Sequence, residues 1–279
     1  MTLETHISQT NPHVAKAAAD LGLAGPFPQL QYIHYMERAF GRDGARFLNA
    51  VDEWIAHGCP PELTARLYLM LARKPAMAAY VSRHQYSRLY LKAAEILVDS
   101  GLLRDRLVID LGCGFGLLTQ LLARLHPESQ VVGVDLAPIL AAARTIAGKA
   151  APGNLRFESA IPASADRTSP RVMLMTCVTH EMFPGLMNGY GSWVKDDVLA
   201  GQALPAMLGS EGLLITINRF PFPKQQHPRL DEVLARLGIR PSVTDLPDSL
   251  TLEEAGAKSE LPIRAYQLDA SEIQSDRSP

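Results

Sequence analysis

Along the first third of the chain, apolar residues recur three and four apart; beyond it they gather into short unbroken runs. Up to about residue 95 the spacing is helical, without strand alternation. "QLQYIHYMERAFG" predicts a helix stopped at Gly41, and "DGARFLNAVDEWIAHG" one stopped at Gly58. "PPELTARLYLMLARKP" has proline in its first turn and ends before Pro75. "AMAAYVSRHQYSRLYLKAAEILVDSG" supplies one or two more helices, ending at Gly101.

After Leu107, strands and helices alternate. "RLVIDLG", "QVVGVDL", "NLRFESA", "RVMLMTCV" and "GLLITIN" read as five strands, and "PSVTDL" and "PIRAYQLD" as the last two. Helices are expected through "LLTQLLARLH", "PILAAARTIAGKA", "DDVLAGQALPAML" and "RLDEVLARLG". Wholly apolar strands separated by helices imply a mostly parallel sheet covered on both faces. The predicted organisation is a helical cap over residues 1–95, an α/β domain over 96–270 and a polar tail over 271–279.

Composition narrows the function. The chain has 279 residues, 47% of them hydrophobic and 20% charged, as in ordinary globular proteins. A formal net charge of −2 provides no general field for a phosphate backbone, so no nucleic-acid partner is expected. Cys59, Cys113 and Cys177 show no CxxC or metal-ligand spacing, which fits a reduced compartment and no metal site. The N-terminus lacks the apolar centre of a signal peptide, and no run of apolar residues is long enough to span a bilayer. The expectation is a cytoplasmic protein without membrane attachment. A homodimer is left open.

The chemistry gathers at "VIDLGCGFG". Gly112, Gly114 and Gly116 follow the first strand, where an open α/β sheet binds its ligands. Glycines there free the backbone to approach a ligand, and the next helix points its unpaired N–H groups at the same place. The spacing G-x-G-x-G brings the third glycine one residue earlier than the dinucleotide fingerprint, and no Walker lysine follows. Asp135, ending the second strand, is placed to accept hydrogen bonds from both hydroxyls of a ribose.

"VIDLGCGFG" followed by "VVGVDLAP" resembles motif I and the acidic loop of the class I S-adenosylmethionine-dependent methyltransferases, and "LPAMLGSEGLLITIN" resembles their fifth-strand region. The resemblance runs from about Leu107 to Asn218. It implies a seven-stranded, mostly parallel Rossmann-like sheet with an N-terminal all-helical cap, and S-adenosyl-L-methionine as cofactor. It also implies roles. Asp110 and the backbone of Gly112, Cys113, Gly114 and Gly116 would hold the cofactor's amino-acid end. Asp135 and Leu136 would take the ribose side, and Ser159, Ala160 and Ile161 would lie along the adenine. Thr176 and Cys177 would pass beneath the sulfonium. Apart from the resemblance, the aromatics of "YVSRHQYSRLY" have the helical spacing of core residues, and Tyr86 is the one expected to face the cofactor. Two departures stand out: "ESA" replaces an adenine-reading aspartate after the third strand, and Arg171 stands where an acid often begins the fourth.

Methyl transfer to a hydroxyl or ammonium needs a base near the fourth strand. His180 is the first candidate and Glu181 the second, with a structural histidine as the competing reading. Arg83 and His84 could meet a carboxylate of substrate or cofactor, and Tyr190 and Trp193 among glycines fit an aromatic lid. The leading function is methyl transfer to a small molecule, a secondary metabolite among the candidates, through oxygen, nitrogen or carbon. An Asn/Asp-Pro-Pro-Tyr signature of amino-methylating enzymes is absent. The alternatives are use of the aminocarboxypropyl group with release of methylthioadenosine, and a non-catalytic cofactor-binding protein.

Overall fold

The computed structural model describes residues 11–23, 29–58, 61–160, 171–176, 203–208, 211–217, 227–254 and 257–268. Its N-terminal part is helical: α1 Pro12–Asp20, α2 Gln29–Ala56, α3 Pro61–Ala72 and α4 Pro75–Ser100. Helix α1, which the apolar pattern did not predict, is started by Asn11. That side chain accepts the His13 N–H at 3.0 Å while Pro12 takes the first helical position. Gly41, expected to end a helix, is a kink inside α2 with φ 52° and ψ −126°. The stretch expected to give one or two helices is the single helix α4. It closes at Gly101, whose φ of 66° suits a residue without Cβ.

The sheet then forms from β1 Leu107–Leu111, β2 Gln130–Val134, β3 Leu155–Glu158, β4 Arg171–Thr176, β5 Leu213–Ile217, β6 Ile239–Pro241, β7 Ser249–Glu254 and β8 Ala257–Leu268. Helices α5 Leu117–Leu125, α6 Ala137–Ala147, α7 Ala203–Leu208 and α8 His227–Arg236 intervene. Strands run in the order β3-β2-β1-β4-β5-β8-β6; the first five are parallel, and β8 is antiparallel to β5 and β6. The path has seven strands and is mostly parallel, as expected, and β7 is added as a hairpin partner of β8. "PSVTDL" is not a strand. The chain leaves the sheet after Pro241, and Val243 is fully exposed with nothing to pack against.

Alternation along the strands sorts the core into two layers. Val108, Val131, Val172, Leu174 and Ile215 face α4 and α5, together with Val14, Ala18, Leu89, Ala93 and Leu97. Ile109, Leu111, Val132, Met173 and Leu214 face the other way, onto Leu204, Leu208, Leu230 and Leu234 of α7 and α8. Residues 14–23 and α4 therefore belong to the core of the sheet. A third cluster joins Tyr32, Met36, Phe47, Leu67, Met77 and Val81 of the cap to Phe115 of the glycine loop and Ile139 of α6.

Arg171, buried at the foot of β4, donates to the Met207 carbonyl at 3.0 Å. Its cation therefore serves the last turn of α7, where unpaired carbonyls collect.

Candidate functional site

Parallel pairing sets Asp110 opposite Gly133 and Leu111 opposite Val134, so β1 and β2 end side by side. The Gly112 and Cys113 amides both donate to the Val134 carbonyl, at 2.8 and 3.2 Å, and lace the glycine loop across the end of β2. Gly112, Gly114 and Gly116 all have positive φ, 71°, 54° and 74°. The reasons differ downstream of that shared conformation. A Cβ on Gly116 would fall 2.5 Å from the Phe157 ring, so this glycine lets β3 pack under the loop. A Cβ on Gly114 would meet no atom within 4 Å; its face is open.

Asp135 adjoins Gly114. Its Oδ2 accepts the Gly114 N–H at 2.8 Å and its Oδ1 the Leu136 N–H at 2.7 Å. A carboxylate has about four acceptor positions, so each oxygen keeps one for another donor. Leu136, 44% exposed, forms the rim before α6. Asp110 lies deeper, at 2% exposure, on the same strand face as Val108. There Thr119, in the first turn of α5, donates its hydroxyl to Asp110 Oδ2 at 2.6 Å.

Burial raises both carboxyls. It pushes Asp110 up to about 6; the Thr119 hydroxyl opposes this and the charge of Asp135 adds to it. Asp135 is likewise raised by burial to about 6, against the pull of the Leu136 and Gly114 amides. Cys113, singled out with the loop, contributes backbone there while its thiol points inward among Leu140, Ala143 and Phe157. Burial, then the nearby aspartates, raises that thiol, so it stays protonated filler. Gly133 makes the room for it, since a Cβ there would lie 2.8 Å from Cys113 Sγ.

Ser159 and Ala160 are exposed just beyond β3. Arg144 of α6 tethers that corner by donating to the Phe157 carbonyl. Thr176 ends β4, and its buried Oγ1 has no hydrogen-bond partner among the described residues. Tyr86 stacks on Tyr90 at 5.6 Å and packs against the core beside α5. His84 lies over the Tyr32 ring at 4.2 Å. Ile161, Cys177, His180, Glu181, Tyr190 and Trp193 lie outside the described residues.

Several site-building residues went unread in the sequence. Thr119 had a signal, a hydroxyl in the first turn after the glycines. Phe115 had a weaker one, an aromatic inside the loop; it stacks on Tyr68 of α3 at 5.9 Å and ties cap to loop. Phe157 and Arg144 had none, because their partners are distant in sequence.

Residues 108–185 match the family model described as a methyltransferase domain. No curated protein sequence matches the chain. Among solved structures, an O-methyltransferase (NcsB1) from neocarzinostatin biosynthesis, in complex with S-adenosylmethionine and 2-hydroxy-5-methyl naphthoic acid, superposes with a TM-score of 0.51 at 15% identity. That likeness covers 81% of this chain and 70% of NcsB1. The mitomycin 7-O-methyltransferase MmcR gives 0.46 at 16% identity, covering 96% of this chain and 76% of its own. Human N-acetylserotonin methyltransferase gives 0.43 at 15%, covering 84% and 68%. At such identities the first of these likenesses is one of fold. The segment that matches the methyltransferase-domain model begins in the strand that carries Asp110 and includes the glycine loop built above.

Among the described residues no helix is long and apolar enough to cross a membrane.

Proposed function

We propose that this protein is an S-adenosyl-L-methionine-dependent methyltransferase acting on a small-molecule acceptor. One observation carries the reading: within the segment that matches a methyltransferase domain, the open face of Gly114 adjoins a carboxylate with acceptor positions to spare. The donor set fits the cofactor. Asp135 would accept from the ribose hydroxyls at the acceptor positions that the Gly114 and Leu136 amides leave free on its two oxygens. The Gly112–Gly116 backbone, supported from below by Asp110 and Thr119, receives the amino-acid end. Leu136, Ser159, Ala160 and Ile161 flank the adenine, and Thr176 and Cys177 lie under the sulfur.

S-adenosylmethionine, when bound, supplies an electrophilic methyl group. This chain aligns the acceptor and excludes water from it, which is the main catalytic demand of an in-line displacement. His180 takes the acceptor's proton and Glu181 orients the imidazole, both just past β4. Tyr190 and Trp193 close over the acceptor. Residues 1–95 select it, and the Tyr68–Phe115 stack supports that placement by joining the cap to the glycine loop. The enzyme works in the cytoplasm, a reading that rests on three cysteines without disulfide spacing.

Calorimetry with S-adenosylmethionine and S-adenosylhomocysteine tests the cofactor, and product analysis tests the reaction. Turnover is expected to release S-adenosylhomocysteine. Release of methylthioadenosine, or binding of NAD in place of either ligand, would overturn the reading.

A further inference from the structure

Helix α4 overtops the sheet it supports. From Ser100 back to Arg83 it climbs about 25 Å at roughly 1.5 Å per residue, against about 17 Å for the five residues of β1. Packing agrees with this height, since Tyr80, one turn before Arg83, packs in the cluster that contains Phe115 of the glycine loop.

Arg83 stands there half-buried. Its Nε is fully covered and has no hydrogen-bond partner among the described residues. No described carboxylate faces the guanidinium either; Tyr35 is the charged-state neighbour, and burial lowers the pKa of Arg83. On one side the cation lies against the backbone after α1, where a Cβ on Gly22 would come within 3.3 Å of Nε. The carbonyls of Ala18 and Ala19 at that helix end already accept from Leu21, Gly22 and Leu23. On the other side is an aromatic wall. Tyr35 stacks on Tyr80 at 4.1 Å, Tyr80 on Tyr32 at 5.9 Å, and the buried Tyr32 hydroxyl also has no partner among the described residues.

A half-buried guanidinium whose covered Nε has no partner, beside a covered hydroxyl that also has none among the described residues, leaves donors that a ligand's acceptor can satisfy. We propose that Arg83 is a carboxylate receptor of the cofactor and acceptor site. The proposal rests on the cofactor reading above. A carboxylate matches the planar guanidinium fork, whereas a doubly charged phosphate would call for a second cation beside these tyrosines. Two bound molecules could present that group: the cofactor through its amino-acid end, or an acidic acceptor.

The test is calorimetric titration of S-adenosylhomocysteine, and of 5′-methylthioadenosine, which lacks the amino-acid end, into wild type, R83Q and R83K. Wild type that binds neither nucleoside overturns the cofactor reading and the proposal with it. If the cofactor supplies the carboxylate, R83Q weakens S-adenosylhomocysteine about 10- to 100-fold, leaves methylthioadenosine unchanged, and R83K regains part of the loss. If the acceptor supplies it, R83Q binds both nucleosides normally. Benzoate then binds the homocysteine-saturated wild type, benzamide does not, and R83Q loses benzoate. Unchanged S-adenosylhomocysteine affinity in R83Q, together with benzoate that ignores the substitution or fails to bind wild type, overturns the proposal. Thermal melting without ligand guards against misfolding: a receptor arginine leaves the midpoint level or higher when removed. A lowered midpoint with intact affinities makes Arg83 structural and also overturns it.

Discussion

The Gly114 amide and the Asp135 carboxylate meet at 2.8 Å across the ends of β1 and β2, so the glycine loop and the acidic residue after β2 brace each other. Asp135→Ala removes both the brace and the proposed ribose acceptor. S-adenosylhomocysteine binding is expected to weaken by about 1.5–3 kcal/mol, the range for hydrogen bonds to a charged group. Affinity in the wild type should also fall as the pH drops below about 6, where Asp135 takes up a proton. Titration calorimetry between pH 5 and 8 measures both; a flat profile would remove Asp135 from the ribose.

Asp110 should reveal itself through stability. Its folded pKa, about 6, lies above the ordinary carboxyl value, so the folded state binds the proton more readily than the unfolded chain. The resulting stabilisation is present at low pH and is lost as the pH climbs from about 4 to about 6. Asp110→Asn keeps an acceptor for Thr119 and carries no charge. At pH 8 it should be more stable than wild type without ligand, on the order of 2 kcal/mol, with the gap narrowing toward pH 5. Denaturant melts at the two pH values check the sign.

Gly114 and Gly116 should separate binding from folding. Gly116→Ala drives a methyl into the Phe157 ring as well as straining φ, and should cost about 2–4 kcal/mol of stability, partly recovered by Phe157→Leu. Gly114→Ala meets only the conformational penalty, about 1–2 kcal/mol, but places a methyl on the open face and should abolish cofactor binding. Paired melting and titration of the two variants decides this; equal binding loss without a stability difference would contradict it.

His180→Ala is expected to lower the chemical step by about 10²–10⁴ while cofactor affinity barely changes. Glu181→Gln should cost less. Single-turnover rates across pH provide the measure, and near-normal turnover with an unchanged profile would make His180 structural.

A fragment beginning at residue 96 is not expected to fold. Val14, Ala18, Leu23, Leu89, Ala93 and Ala94 all fill the layer over Val108, Val131 and Val172. Removing them exposes the face of a parallel sheet that must be covered on both sides. A cooperative melt from that fragment would restore the cap as an independent unit.

The sheet and the glycine loop were legible because both are written locally, in unbroken apolar runs and in the Asp110 to Gly116 spacing. What escaped was decided at a distance. "PSVTDL" has strand-like residues, yet its Val243 finds no cover, whereas the less obvious "SLTLEE" becomes β7 because Leu250 and Leu252 reach the core beside Leu261. Position 116 reads as a ligand glycine in sequence; Phe157, some forty residues away, is the neighbour that forbids a side chain there. The sequence marks Arg83 as a cation that could meet a carboxylate; that its Nε is covered without a partner among the described residues shows only once Gly22 and the tyrosines close around it.

The placement of β8 has a consequence for synthesis. This strand is hydrogen-bonded between β5 and β6, yet follows every other described strand in sequence. While the nascent polypeptide emerges from the ribosome, the edge of β5 waits unpaired until residues 257–268 clear the exit tunnel, and an unpaired strand edge invites pairing with other chains. A message that terminates even a few codons before β8 would leave the glycine loop written in full and the sheet beneath it unfinished.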